Sequence, residues 1–167
     1  MDQLEFHPYK GGGVPVDFEY EPKHQGLVDF FNNDALKCEK QIISKVFEIV
    51  CGDQLVGFIA LSLKSIDKKS LSNRKSQGPF ARPALVIGQL IFDKRYQSRG
   101  YGKRTIAWTI LLVRLFKKFL PLRLLCVDAI DEEAAEYYRK RGFESLKDQP
   151  DTLVLDLLPI LREGENV

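Results

Sequence analysis

Histidine, methionine and tryptophan are scarce in this chain: 167 residues contain two histidines, one methionine and one tryptophan. His7 and His24 are joined by three cysteines, Cys38, Cys51 and Cys126, which are far apart and form no C-x-x-C pair. No zinc-ligand spacing can be assembled from so few groups, so no metal is expected. Three cysteines, odd in number and scattered, do not read as a disulfide framework. The thiols are expected to be structural, since free cysteine in an apolar run behaves as a small hydrophobe, and the expected compartment is a reducing cytoplasm. Neither a Ser-His-Asp nor a Cys-His set is present to suggest covalent catalysis. A strong charge of one sign is missing too. The formal net charge is +2, too small for a general nucleic-acid binder, so any basic surface has to come from clustering. The opening M-D-Q-L-E-F-H-P-Y-K lacks the basic-then-apolar order of a signal peptide. The longest apolar segment, Trp108 to Val113, is much too short to span a bilayer. A soluble chain with no membrane partner is expected.

What is present suits one domain over residues 1–167: 44% hydrophobic and 29% charged residues, enough to bury a core without staples. Triple glycine at 11–13 marks a loop, because no helix start follows it. From His24 the apolar residues Leu27, Phe30, Phe31, Ala35, Leu36 and Cys38 keep helical spacing, as two short helices broken near Asn32–Asn33. K-V-F-E-I-V-C and Q-L-V-G-F-I-A-L-S-L, separated by G-D, read as a hairpin. Lys64 to Arg82 is basic and serine-rich, and is expected to be a long exposed loop with at most one short helical turn. A strand at Ala84–Phe92 then leads to a helix from about Gly100 to Lys118. L-R-L-L-C-V-D-A-I is a buried strand. D-E-E-A-A-E-Y-Y-R-K-R-G-F is a helix with acids in its first turn, bases in its last and Gly142 at its stop. T-L-V-L-D-L is the final strand before a polar tail. The order predicts an α/β fold, a single mixed central sheet flanked by helices.

The segment Gln97–Lys103, Q-S-R-G-Y-G-K, sits where a strand hands over to a helix. A helix N-terminus presents unpaired amides and partial positive charge, and so attracts phosphate. Glycines there let the backbone approach an anion. Gln97, Ser98, Arg99, Gly100, Tyr101 and Gly102 can supply the amides, with Arg95, Arg99, Lys103 and Arg104 adding charge. It is neither a P-loop, since the spacing to Lys103 is too short, nor a complete G-x-G-x-x-G. On local grounds alone, a phosphate cradle and a plain turn with solvated cations both stay open.

The wider stretch I-G-Q-L-I-F-D-K-R-Y-Q-S-R-G-Y-G-K resembles the acetyl-CoA-binding segment V-x-x-x-x-Q/R-x-x-G-x-G/A of the Gcn5-related N-acetyltransferases, the GNAT superfamily. Gln97, Gly100 and Gly102 stand at its fixed positions. L-L-C-V-D-A-I-D-E-E-A-A-E-Y-Y-R-K-R-G-F resembles the second family element, L-x-V-x-x-x-N-x-x-A-x-x-F-Y-x-x-x-G-F, with Asp131 in place of asparagine and Tyr137 in place of phenylalanine. Together with the helix between them, the two elements cover about the last half of the chain. The resemblance implies the GNAT (acyl-CoA N-acyltransferase) fold with acetyl-CoA as co-substrate. It also implies that the backbone groups of Leu90, Ile91 and Phe92 pair with the pantetheine arm, and that the Phe92 amide polarises the thioester carbonyl. The pyrophosphate would lie on residues Gln97 to Lys103. Tyr138 would be the acid for the departing thiolate, and Tyr137 a packing residue. A tyrosine hydroxyl suits the acid role because its ordinary pKa of about 10 keeps it protonated at neutral pH.

F-F-N-N-D-A-L-K-C-E-K, F-I-A-L-S-L and P-A-L-V-I-G-Q-L-I-F-D-K-R-Y-Q resemble the acetyltransferase toxins of toxin–antitoxin modules, with Gln89 where that group has arginine. This resemblance implies the α-amine of aminoacyl-tRNA as acceptor and a ribbon-helix-helix antitoxin as partner; a homodimer stays open. Lys64, Lys68, Lys69, Arg74, Lys75 and Arg82 could meet an RNA backbone, or could form a solvated charged loop. Two other readings stay open: a GNAT for a small amine, protein N-terminus or lysine, and an acetyl-CoA-binding module without catalysis.

Overall fold

The computed structural model describes residues 3–72 and 78–163. In chain order it contains β1 (Leu4–Pro8), α1 (Gln25–Asn33), α2 (Ala35–Lys40), β2 (Lys45–Cys51), β3 (Gln54–Ile66), β4 (Arg82–Phe92), α3 (Tyr101–Phe116), β5 (Leu124–Asp128), α4 (Glu132–Arg139), β6 (Glu144–Ser145), β7 (Thr152–Asp156) and α5 (Leu158–Arg162). The strands form one seven-stranded sheet in the order β1-β2-β3-β4-β5-β7-β6. β1, β2 and β3 pair antiparallel in sequence. β4 and β5 pair parallel, the geometry that requires a crossover, and α3 is that crossover. β7 then pairs antiparallel with both β5 and β6. The expected mixed α/β sheet is what the chain forms.

Backbone contacts divide the chain into two compact units. The first comprises residues 1–62 and 88–106. Its core gathers on Phe58, whose ring lies 5.1 Å from Phe31, 5.8 Å from Phe18 and 6.0 Å edge-on from Tyr9. α1 presents Val28 and Phe31 to this core and α2 presents Ala35, the three-to-four-residue spacing that puts side chains on one helix face. The break between the helices falls at Asp34, next to the expected Asn32–Asn33. Gly52, at φ +60, closes the two-residue turn that pairs Cys51 with Gln54, as a glycine in the left-handed region permits.

The second unit comprises residues 63–87 and 107–167. Ala84 and Val86 on β4, and Leu124 and Cys126 on β5, alternate into one cluster with Ile66, Leu71, Leu146 and Val154. Leu85, Ile87, Leu125 and Val127, which point the other way, are also buried, so both strands read as nearly unbroken apolar runs. Burial pushes the Cys126 thiol up to about 11, with Asp128 adding to the rise, which keeps it an unreactive core group. Arg123 holds Asp156 with two bonds of 3.0 and 2.9 Å.

Several boundaries differ from expectation. β3 runs on to Ile66, so Lys64 lies on a strand and not in a loop. The stretch beyond is less exposed than its composition suggested: Ile66, Ser70 and Leu71 are buried, and Arg82 opens β4 as a buried residue. Ile66 and Leu71 are taken into the second core, and they carry their polar neighbours with them. A 3-10 turn at Lys68–Ser70 is the short helical turn foreseen there. The two-residue strand β6 and the helix α5 in the supposed polar tail were not foreseen. Among the described residues, no helix is long and apolar enough to cross a membrane.

Gly57 on β3 marks the tightest approach in the first unit. A Cβ there would run into the Ile91 carbonyl oxygen and lie 2.9 Å from Phe92 Cδ1. Gly57→Ala is therefore expected to destabilise the fold by about 1–3 kcal/mol, the usual cost of overpacking, measured as a lowered urea midpoint.

Candidate active site

β4 outruns its neighbour. Its parallel register with β5 pairs Ala84 with Leu124 through Ile87 with Val127, and β4 continues through Leu90 and Ile91 to Phe92. Asp93 follows, then a 3-10 turn at Lys94–Tyr96, the residues Gln97–Gly100, and α3. The backbone of this connection is unusual. Ser98 has φ +61 and Gly100 φ +79, two left-handed residues within three, an arrangement that turns successive amides towards one side. Above Gly100 the space is open, with nothing within 4 Å of where a Cβ would stand. Arg104 N–H donates to the Gly100 carbonyl at 3.2 Å. This places the amides of Tyr101, Gly102 and Lys103 ahead of the helix ladder, where α-helical geometry leaves them without a carbonyl. The residues present thus fit a phosphate: outward amides, an open approach, a helix N-terminus and nearby cations.

The surrounding charge agrees. From Lys94 to Val127 there is no aspartate or glutamate, a signal readable in the sequence that strengthens the cradle over the plain turn. Lys103 and Arg99 are exposed. Arg99 lies 5.2 Å over the Tyr96 ring, and Arg104 lies 5.9 Å over Tyr101. The Tyr101 hydroxyl donates to Cys51 Sγ at 3.4 Å, and its ring lies 6.3 Å from Phe92, so the first residue of α3 is anchored in the first unit. The Gln97 backbone amide donates to the Lys94 carbonyl at 3.3 Å. Its side-chain amide donates to the Phe92 carbonyl at 3.3 Å, tying the loop back to the strand end. Residues 90–92 and 97–103 are thus brought together within one unit.

Tyr138 belongs to the second unit and owes its setting to α4. Asp131, which stands where the family motif has asparagine, caps this helix by accepting the Ala134 amide at 2.8 Å, a standard use of aspartate. Glu132 and Glu133 fill the first turn, Arg139 the last, and Gly142 at φ +90 ends it. Tyr137 and Tyr138 then separate. Tyr138 is buried, packed edge-on against Phe143 at 5.3 Å and Tyr137 at 5.4 Å. Among the described residues its hydroxyl has no hydrogen-bond partner. Burial pushes its pKa well above the usual tyrosine range, Tyr137 adding to the rise and Arg141 opposing it. Tyr137 is covered by the Arg141 guanidinium, 3.4 Å from its ring centre, which leaves it the packing role.

The basic set from 64 to 82 is only partly assembled. Lys64 and Lys69 are exposed and Lys68 is half-buried, its ammonium 3.4 Å from the Gly78 carbonyl. Arg74 and Lys75 lie outside the described residues. Arg82 is the exception to the expected exposed surface: it is buried and donates to the Phe80 carbonyl.

The acetyltransferase (GNAT) family model matches residues 13–143, most of the chain. The chain belongs to this family. Among relatives of this GNAT acetyltransferase, a tRNA-acetylating toxin of Mycobacterium tuberculosis is 28% identical over 131 residues, covering 77% of this chain and 78% of the relative. The solved structure of AtaT complexed with acetyl-methionyl-tRNAfMet superimposes with a TM-score of 0.81 at 18% identity, over 95% of this chain and 96% of that one. A mutant AtaT toxin bound to the C-terminus of the antitoxin AtaR and acetyl-CoA gives 0.73 at 18% identity, over 97% of each. At such identities the structural likenesses establish the fold.

Gly100→Val places a β-branched residue in the left-handed region, at a cost of about 1–2 kcal/mol, and fills the open approach. We expect the acetyl-CoA dissociation constant to rise at least about tenfold, equivalent to about 1.4 kcal/mol, with the far-ultraviolet circular dichroism unchanged. Calorimetric titration measures the first and spectroscopy checks the second.

Proposed function

We propose that this GNAT chain, acting as one functional domain over residues 1–167, transfers the acetyl group of acetyl-CoA directly to the α-amine of an aminoacyl-tRNA. The observation that carries the acetyl-CoA assignment is the loop at the head of α3, with Ser98 and Gly100 left-handed and open space above Gly100. Its outward amides, with Arg99 and Lys103, would hold the coenzyme A pyrophosphate. Leu90, Ile91 and Phe92, on the stretch of β4 beyond its register with β5, would offer backbone groups to the pantetheine arm like an added strand.

Acetyl-CoA supplies the activated thioester, and the chain supplies polarisation and a proton. The Phe92 amide would donate to the thioester carbonyl where negative charge develops. The acceptor amine reacts unprotonated; its nitrogen–carbon bond forms as the carbon–sulfur bond breaks, and the amine releases a proton to solvent, from which the Tyr138 phenol is restored after turnover. Tyr138 would give its phenolic proton to the departing thiolate. The raised pKa of Tyr138 keeps that proton in place at neutral pH, and among the described residues its hydroxyl is committed to no hydrogen bond. No covalent enzyme intermediate is needed.

The acceptor assignment is supported by the tRNA-acetylating relative and by the exposed Lys64 and Lys69. The AtaT complex with a piece of AtaR supports an antitoxin partner.

Incubation with radioactive acetyl-CoA and charged tRNA should label the tRNA fraction, and the label should be lost after base hydrolysis of the ester. Label on small amines or proteins, with none on tRNA, would move the acceptor to those classes. Tyr138→Phe should lower kcat by about 10²–10⁴-fold, the usual contribution of a general acid, with acetyl-CoA affinity within about twofold of wild type. Equal turnover in the two proteins would remove Tyr138 from the mechanism. In the wild type the alkaline limb of the kcat profile due to Tyr138 should lie above pH ~10, the ordinary tyrosine value, because a raised pKa retains the proton to higher pH. A fall centred below that value would contradict the assignment.

A further inference from the structure

The stretch D-K-R-Y-Q at 93–97 joins β4 to the glycine loop and carries a connected polar network. Asp93 is 1% exposed. Its Oδ1 accepts the Arg95 backbone amide at 2.9 Å and Arg95 Nε at 3.1 Å; its Oδ2 accepts Nε at 3.2 Å and Nη2 at 2.7 Å. The backbone around it is held as firmly: the Asp93 amide donates to the Val56 carbonyl at 2.9 Å, the Lys94 amide to Glu19 at 2.8 Å and the Tyr96 amide to Asp93 at 2.9 Å. Tyr96 reaches Gln54 Oε1 at 3.1 Å and lies beneath both Arg95 and Arg99. Gln97 closes the turn onto the Phe92 carbonyl.

We propose that the Asp93–Arg95 pair is a positioning clamp for the acetyl-CoA site, fixing the turn between Phe92 and Gln97 so that the carbonyl-polarising amide and the pyrophosphate loop are held in place before the ligand arrives. The inference rests on the acetyl-CoA reading above and deepens it. By position Arg95 looks like one more phosphate-binding cation. The geometry assigns it otherwise, because its guanidinium already meets Asp93 at 2.7 Å and Asp17 at 3.6 Å. A two-pronged guanidinium–carboxylate contact fixes direction as well as distance, and a buried carboxylate deprived of its cation is strongly disfavoured. Burial alone would raise the Asp93 carboxyl, but the bonds from the Arg95 side chain and backbone outweigh it and hold the pKa below the usual value. Preformed loops bind more tightly because less order has to be created on binding.

Asp93→Asn separates this role from the obvious rival by sign. The asparagine keeps the acceptor for the Arg95 amide but loses the ionic fork. A positioning clamp predicts that the Kd and KM for acetyl-CoA rise about tenfold, with the acceptor KM within about twofold of wild type. If Arg95 were instead a phosphate ligand restrained by Asp93, Asp93→Asn would free it and tighten acetyl-CoA binding, which would overturn the proposal. Arg95→Lys keeps the charge without the fork and should loosen binding as Arg95→Gln does; wild-type affinity in Arg95→Lys would also overturn it. These two variants of a partly exposed side chain carry the test if Asp93→Asn does not fold. Hydrogen–deuterium exchange without ligand gives an independent readout. The clamp predicts faster exchange over residues 94–102 in the variants and unchanged exchange in α1 and α2, and equal exchange throughout would refute it. Wild-type protein that fails to bind acetyl-CoA would defeat the functional reading alone, and the exchange experiment would still decide the clamp.

Discussion

The chain has to leave a strand and enter a helix while keeping a set of backbone amides unpaired, and the rest of the site depends on how that is done. Unpaired amides are costly when buried and useful when they face a ligand, so the connection must be rigid without using the donors at the head of α3. Three devices achieve this within the first unit. The Asp93 carboxylate gathers Arg95 around the 3-10 turn, Gln97 ties the loop to the strand end, and Tyr101 is anchored at Cys51. Each makes its bonds with side chains, leaving the amides at the head of α3 unclaimed. Gly57 contributes by having no side chain, so the end of β4 can lie close against β3.

The second unit solves a different problem. The Tyr138 phenol there is buried, and burial holds its proton by penalising the phenolate. α4 is written so that its ends satisfy themselves: Asp131 caps one, Gly142 closes the other, and the charges run with the macrodipole. Such a helix can hold the Tyr138 ring against Phe143 while its hydroxyl makes no hydrogen bond among the described residues. The neighbouring Tyr137, facing another way on the same helix, meets Arg141 and packs.

Much of this was legible in the residues. Elements whose local signals agree were found close to their true bounds: the G-D hairpin, the capped helix at 132–139 and the apolar strands of β4 and β5. The glycine loop between β4 and α3 was legible as a strand-to-helix turn, and as one of the two motifs that carry the family resemblance. Where local composition and tertiary packing disagreed, packing won. Ile66 and Leu71 lie in a basic, serine-rich stretch but fill a core. Arg82 looked like one more exposed cation and is buried. β6 and α5 are short, and elements of that length carry little periodicity to detect.

By itself the sequence determined the family, the order of the longer elements and the identity of the residues at the head of α3, because glycine spacing, capping and hydrophobic period are local properties. Only the tertiary structure decided what those residues do to one another. Gln97 and Phe92 are five residues apart, Tyr101 and Cys51 fifty. Whether a cation in the loop meets a phosphate or a carboxylate depends on which groups folding brings within hydrogen-bond reach. Composition counts Arg95 among the available cations; the folded chain engages it with Asp93.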